Sequence, residues 1–107
     1  MKISELESFG FECLVPAEGE VFHGYVGDLL SEVMAHAESE SVWLTVQSHV
    51  NIVAVAVVTG IKAIILCGGC KYDSETLKKA KEEKIALFRT KMNSFKSAGK
   101  LYQIGLR

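Results

Sequence analysis

Cys67-Gly68-Gly69-Cys70 is the densest concentration of chemistry in the chain. Two glycines allow a sharp turn and close approach of the backbone to a partner. Two thiols at this spacing are half of a zinc site or the pair of a redox motif. A helix predicted to begin at Ser74 would add free N–H groups to the same spot. An anion, a metal and a plain tight turn are the three alternatives. The zinc reading lacks a second CxxC or an HxxxH pair, since Cys13, His23, His36 and His49 are scattered. The redox reading lacks a helix N-terminus at the first thiol, where the dipole would lower its pKa. No metal and no cofactor are therefore expected, and a Cys67/Cys70 metal or redox protein is the alternative reading.

Other polar residues collect at predicted strand ends. Ser48, His49 and Asn51 follow one strand; Thr90 and Lys91 follow another; Gly27 and Asp28 follow a third. A neutral imidazole at His49 could hydrogen-bond a ligand or a carboxylate. No Ser, His and Asp stand at a readable triad spacing. Gly68-Gly69-Cys70-Lys71 lacks the spacing and the Ser/Thr of a phosphate loop, and no ordered glycine triplet for dinucleotides occurs. No catalytic residue is assigned.

These residues need a scaffold, and the apolar pattern supplies one. Ile3 to Phe9 reads as a short opening helix closed by Gly10, and Glu12 to Val15 as a strand stopped by Pro16. Val21 to Val26 reads as a second strand. Asp28 is the expected cap of a helix carrying Leu29, Leu30, Val33, Met34 and Ala37. Val42 to Val46 is a strand. Val50 to Val58 has strand propensity. Ser48 and Asn51 are nonetheless plausible helix starters, Gly60 is a stop, and two parallel strands need a crossover. The segment 50–59 is therefore predicted to be a buried helix. Strand 63–66, helix 74–84 and strand 85–88 follow. Thr90 is the expected cap of a last helix carrying Met92, Phe95, Ala98 and Tyr102. Alternation of strand and helix predicts an α/β fold, a small mostly parallel sheet with helices on both faces, as one domain over residues 1–107. Such sheets bind ligands at the carboxyl ends of their strands, where the polar groups above fall.

Composition bounds the partners. The chain has 107 residues, 49% of them hydrophobic. That is rich for a small soluble monomer and suggests a sheet covered twice or a surface shared with another subunit. The net charge of −1 argues against a nucleic-acid binder. Residues 1–61 hold nine acids and one base, and residues 62–107 hold eleven bases and four acids. The split fits a solvated lysine face, an acidic flank meeting a basic one across a subunit contact, or a weakly anion-attracting side. No apolar run is long enough to span a membrane. The acidic N-terminus does not look like a signal peptide, and the three cysteines suit a reducing compartment, so a cytoplasmic location is expected.

Gly24 to Ser31, Val42 to Thr45 and Ile64 to Gly69 together resemble the DRTGG-domain family, across residues 1–106. The family is similar in fold to the N-terminal domain of HPr kinase/phosphorylase. Its signature joins an Asp-Arg pair after one strand to Thr-Gly-Gly after the next. Here Gly68-Gly69 match, Cys67 replaces the threonine, and Ser48-His49 stand in place of Asp-Arg. The pair lost is a fixed charge and a bidentate donor. The resemblance implies a regulatory, non-catalytic domain, in longer relatives attached to phosphotransacetylase-like enzymes or to CBS domains, and here alone. Such a module acts through a partner enzyme, a homodimer, or both. The expected ligand is a small anion, a nucleotide or phosphorylated metabolite. Ser48, His49, Asn51, Cys67, Gly68, Gly69, Thr90 and Lys91 form its expected site. Backbone at Gly68 and Gly69 would approach the ligand, His49 and Asn51 would hydrogen-bond it, and Thr90 with Lys91 would hold its negative end. A ligand-free structural assembly partner is the further alternative.

Overall fold

The cores of the central strands, Val42-Trp43-Leu44 and Ala63-Ile64-Ile65-Leu66, are apolar without alternation, so both of their faces must be covered. The computed structural model describes residues 1–107 and shows how this is done. Strands β1 (Glu12–Val15), β2 (His23–Val26), β3 (Ser41–Thr45), β4 (Ala63–Leu66) and β5 (Ala86–Arg89) form one sheet in the order β1-β5-β4-β3-β2. Four strands are parallel, and β1 alone runs antiparallel, against β5. Helices α1 (Leu30–His36), α2 (Asn51–Thr59) and α3 (Ser74–Glu83) cover one face. Helix α4 (Ser94–Gln103) and an opening 3₁₀ helix (Ile3–Phe9) cover the other. The α/β class, the mostly parallel sheet and the two covered faces are those expected.

Strand periodicity divides the core in two. Trp43, Ile64, Leu66 and Leu87 point toward α1, α2 and α3. Val42, Leu44, Ala63, Ile65, Ala86 and Phe88 point toward α4 and the 3₁₀ helix. Trp43 is fully buried, and its indole N–H donates to the Gly27 carbonyl at 2.8 Å, so its one polar group is satisfied.

The difficult segment 50–59 is helical. It ends at Gly60, whose φ of +81° only glycine adopts without cost. A Cβ there would also sit 2.8 Å from the Cβ of Ser39. Topology overrides strand propensity, because β3 and β4 are parallel neighbours and only a crossover can join them.

Three capping expectations are corrected. Asp28 does not cap α1, whose N-cap is Leu29. Its carboxylate instead accepts from Thr45 Oγ1 and from the Val46 N–H, both at 2.9 Å, and fastens the end of β3. Neither Ser48 nor Asn51 caps α2; its N-cap is Val50, already in helical conformation and without a side-chain bond. Thr90 does not cap α4; Asn93 does, accepting from the Lys96 N–H at 2.9 Å. Thr90 is taken up as part of the β5 ladder, its N–H donating to the Leu66 carbonyl at 2.9 Å. Expected core residues Phe95 and Tyr102 are also outward, at 86% and 61% exposure. The core side of α4 is Ser97 and Leu101.

Tyr72 links two strands from within the core. Its hydroxyl donates to the Phe88 carbonyl at 2.6 Å and lies 3.3 Å from that of Ile64. Burial raises its pKa far above the ordinary 10.0, with backbone hydrogen bonds opposing in part. Burial also raises the Cys67 thiol above 9.0, against the Ser97 and Ser94 hydroxyls, which lower it. Both groups are neutral in the fold and ionise first in the unfolded chain. Their contribution is thus complete below pH 9.0 and is lost as pH rises toward the folded values. Melting temperature should fall through the alkaline range. Tyr72→Phe should cost about 1 kcal/mol at neutral pH and flatten the decline above pH 10.0. Thermal melts across the range check both, and a decline as steep in the variant as in the parent would count against the assignment.

Candidate functional site

The carboxyl ends of β3, β4 and β5 lie side by side, and their loops are stitched together. The Cys67 N–H donates to Thr45 O at 2.9 Å, and the Gly69 N–H to Thr90 O at 2.9 Å. The Gly68 N–H reaches Met92 O at 2.8 Å. Ser48 O accepts from Thr76 Oγ1 at 2.7 Å and from the Asp73 N–H at 3.4 Å. Asp28 completes the seam, since its carbonyl accepts from Gln47 Nε2 at 2.9 Å. One edge thus holds all the loops expected there.

The glycine turn is defined by its backbone angles. Gly68 and Gly69 have φ of +77° and +76°, and a Cβ on either would meet nothing within 4 Å. The glycines are needed for their dihedral angles rather than for close approach. Their N–H groups serve the loop after β5. Cys67 is fully buried in the face covered by α4. Its raised pKa disfavours the thiolate that metal binding or redox chemistry needs. Cys70 is half-buried against the opposite cluster. No three His, Cys, Asp or Glu side chains converge on a common point.

The other expected residues separate into two places. At the end of β3, His49 is exposed, with Nδ1 3.7 Å from Asp73 Oδ2, and Asn51 is exposed on the first turn of α2. Ser48 contributes its carbonyl to the seam. At the end of β5, Thr90 is nearly buried, and its Oγ1 accepts from the Met92 N–H at 3.2 Å. Its neighbour Lys91 is exposed on an open groove of about 400 Å³.

That groove carries three cations. Arg89, Lys91 and Lys100 line it, with Phe9 and Met92 as its apolar part. Glu12 is its one acid, and it is paired with Arg89 across the β1–β5 ladder, Oε1 to Nε at 3.5 Å. Lys91 and Lys100 form no ion pair. Sequence reasoning missed Lys100 and Phe9 because no spacing relates them to Lys91; only packing of α4 and the 3₁₀ helix on one face does. Asp28 was visible, but as a cap.

Two substitutions test the seam. Gly68→Ala should destabilise by about 1–2 kcal/mol, the cost of a left-handed L-residue. Asp28→Ala should cost about 1.5–3 kcal/mol through loss of bonds to a charged acceptor. Denaturant melts measure both, and a neutral Gly68→Ala would refute the dihedral explanation.

Comparison with known proteins bears on this edge. No curated protein matches the chain. Among solved structures, the crystal structure of the CBS and DRTGG domains of the regulatory region of Clostridium perfringens pyrophosphatase, complexed with its activator diadenosine tetraphosphate, superimposes with a TM-score of 0.70 at 16% identity. The match covers 92% of this chain and 44% of that one. This establishes a shared fold, and this chain spans less than half of that structure. The family model for the DRTGG domain matches residues 26–104, which include β3, β4, β5 and the whole glycine turn. With the parallel sheet and the Gly68-Gly69 turn in place, the chain belongs to the DRTGG domain family.

Proposed function

We propose that this domain is a regulatory, non-catalytic module that binds a small phosphorylated anion and acts through a partner enzyme or a second copy of itself. The observation that carries this reading is the groove at the end of β5, where Lys91 and Lys100 stand without carboxylate partners beside Arg89. Unpaired cations around a concave surface attract phosphate, and Arg89 adds a planar donor fork suited to it. Phe9 and Met92 give the rest of such a ligand an apolar seat. A nucleotide or other phosphorylated metabolite has this combination of parts. Lys91 keeps its expected role at the negative end, and the Thr90 hydroxyl fixes the loop that carries it. His49 and Asn51 lie apart from this groove, at the end of β3, and take no part in it in this reading.

The similar fold in a regulatory region crystallised with a nucleotide activator supports a regulatory role. No helix is long and apolar enough to cross a membrane. Three free thiols suit the reducing cytoplasm, where we place the protein.

The test is a thermal-shift and calorimetric titration with pyrophosphate, ADP and a sugar phosphate. At about 100-fold excess over Kd, binding should add about 2.7 kcal/mol of stability, or on the order of 10 °C in a domain of this size. A Lys91→Ala, Lys100→Ala double variant should lose the shift while melting normally on its own, and salt should weaken binding in the parent. No shift with any of the three anions, or a shift untouched by the double variant, defeats the reading.

A further inference from the structure

The two edges of the sheet are built differently. Edge strand β1 carries devices that discourage pairing with another chain: a register irregularity between Cys13 and Val15, Pro16 directly after it, and the Glu12–Arg89 ion pair. Edge strand β2, His23-Gly24-Tyr25-Val26, has no lysine, no proline and no bulge. Exposed apolar side chains surround it instead. Phe22, just before the strand, and Val26, its last residue, are 46% and 48% exposed. On α4, which packs over β2, Phe95 stands at 86% and Tyr102 at 61%.

Between α4 and β2 runs a groove lined chiefly by Gly24, Tyr25, Ala98, Leu101, Tyr102 and Leu106. Gly24 leaves open space where a side chain would stand. One surface therefore carries a hollow and, less than one helical turn from Ala98, a protruding phenyl ring.

We infer that this surface, the β2 edge with the Phe95–Tyr102 side of α4, is where two copies of this chain associate through a two-fold axis, β2 pairing antiparallel with its symmetry mate. Two features select a second copy as the occupant. A bare strand edge is completed by another strand, and a two-fold lets one patch serve both sides. The hollow and the Phe95 ring lie on the same face, so each copy offers its ring to the other's groove.

This deepens the self-association named in the proposed function, and its test uses no anion, so either reading can fail without the other. Sedimentation and light scattering should give twice the chain mass for the parent at micromolar concentration. Val26→Lys, which protects the edge, and Phe95→Asp, which charges the ring position, should each give the monomer with an unchanged far-UV spectrum. Val58→Lys, on the exposed side of α2 where Val58 is 70% exposed, should remain a dimer. A monomeric parent overturns the inference. So does a parent dimer that survives both Val26→Lys and Phe95→Asp, or one that only Val58→Lys dissociates.

Discussion

Burial of β3 and β4 on both faces is the constraint on which the rest of this fold depends. All nine of their residues lie out of solvent. A strand buried twice must be flanked by strands and sandwiched by helices, and parallel neighbours must be joined by crossovers. Helix α2 meets both demands at once. It joins β3 to β4 and buries Ile52, Val53, Val55 and Ala56. Its apolar sequence, with no charge from Asn51 to Thr59, is what a central crossover helix needs.

The same constraint settles where function can lie. A small sheet with its interior closed has chemistry to offer only at its rims. At the carboxyl rim, the loops after β3, β4 and β5 are fastened by backbone bonds and by Asp28, so backbone groups that might have met a ligand meet one another. The rim is rigid in the middle, and its free groups are displaced to the sides. Cations are left over at the β5 end and apolar surface at the β2 end. A signature such as Gly68-Gly69 thus marks a turn geometry that the fold requires.

What the sequence revealed and what it hid follow from the range of each effect. Helix α2, strand β4 and the glycine turn were legible because periodicity, Gly60 and the crossover rule act locally or through topology. The 3₁₀ form of residues 3–9 was not, since helical spacing over seven residues does not separate the two helix types. Caps were misread at Asp28 and Thr90 because short polar side chains suit several roles and tertiary partners choose among them. Asp28 found Thr45, and Thr90 found the ladder of β5. The candidate site was half visible. Lys91 stood at a predicted strand end, but Lys100 joins it through packing of α4, and Phe9 through packing of the 3₁₀ helix. Phe95 and Tyr102 have the helical spacing of core residues, yet spacing fixes only that they share a face, not which face is inward.

Helix α4 gives the two proposed surfaces a common element. Lys100 lies on the cationic groove, while Ala98 and Tyr102 line the groove against β2 and Phe95 adjoins them, so a single helix of ten residues borders both. Contiguity alone does not create regulation. An anion can alter association only if it binds the paired and unpaired copies with different affinity. Any such difference works equally in reverse, with association altering anion affinity by the same factor. The structure supplies the physical route such linkage requires: a short helix anchored to the sheet by Leu101 and Ser97, with charge on one flank and aromatic rings on another. A small displacement of α4 toward a bound phosphate would change how Phe95 meets a partner's groove. Linkage between the two proposed surfaces then needs no large motion, only that α4 seat differently in the two states.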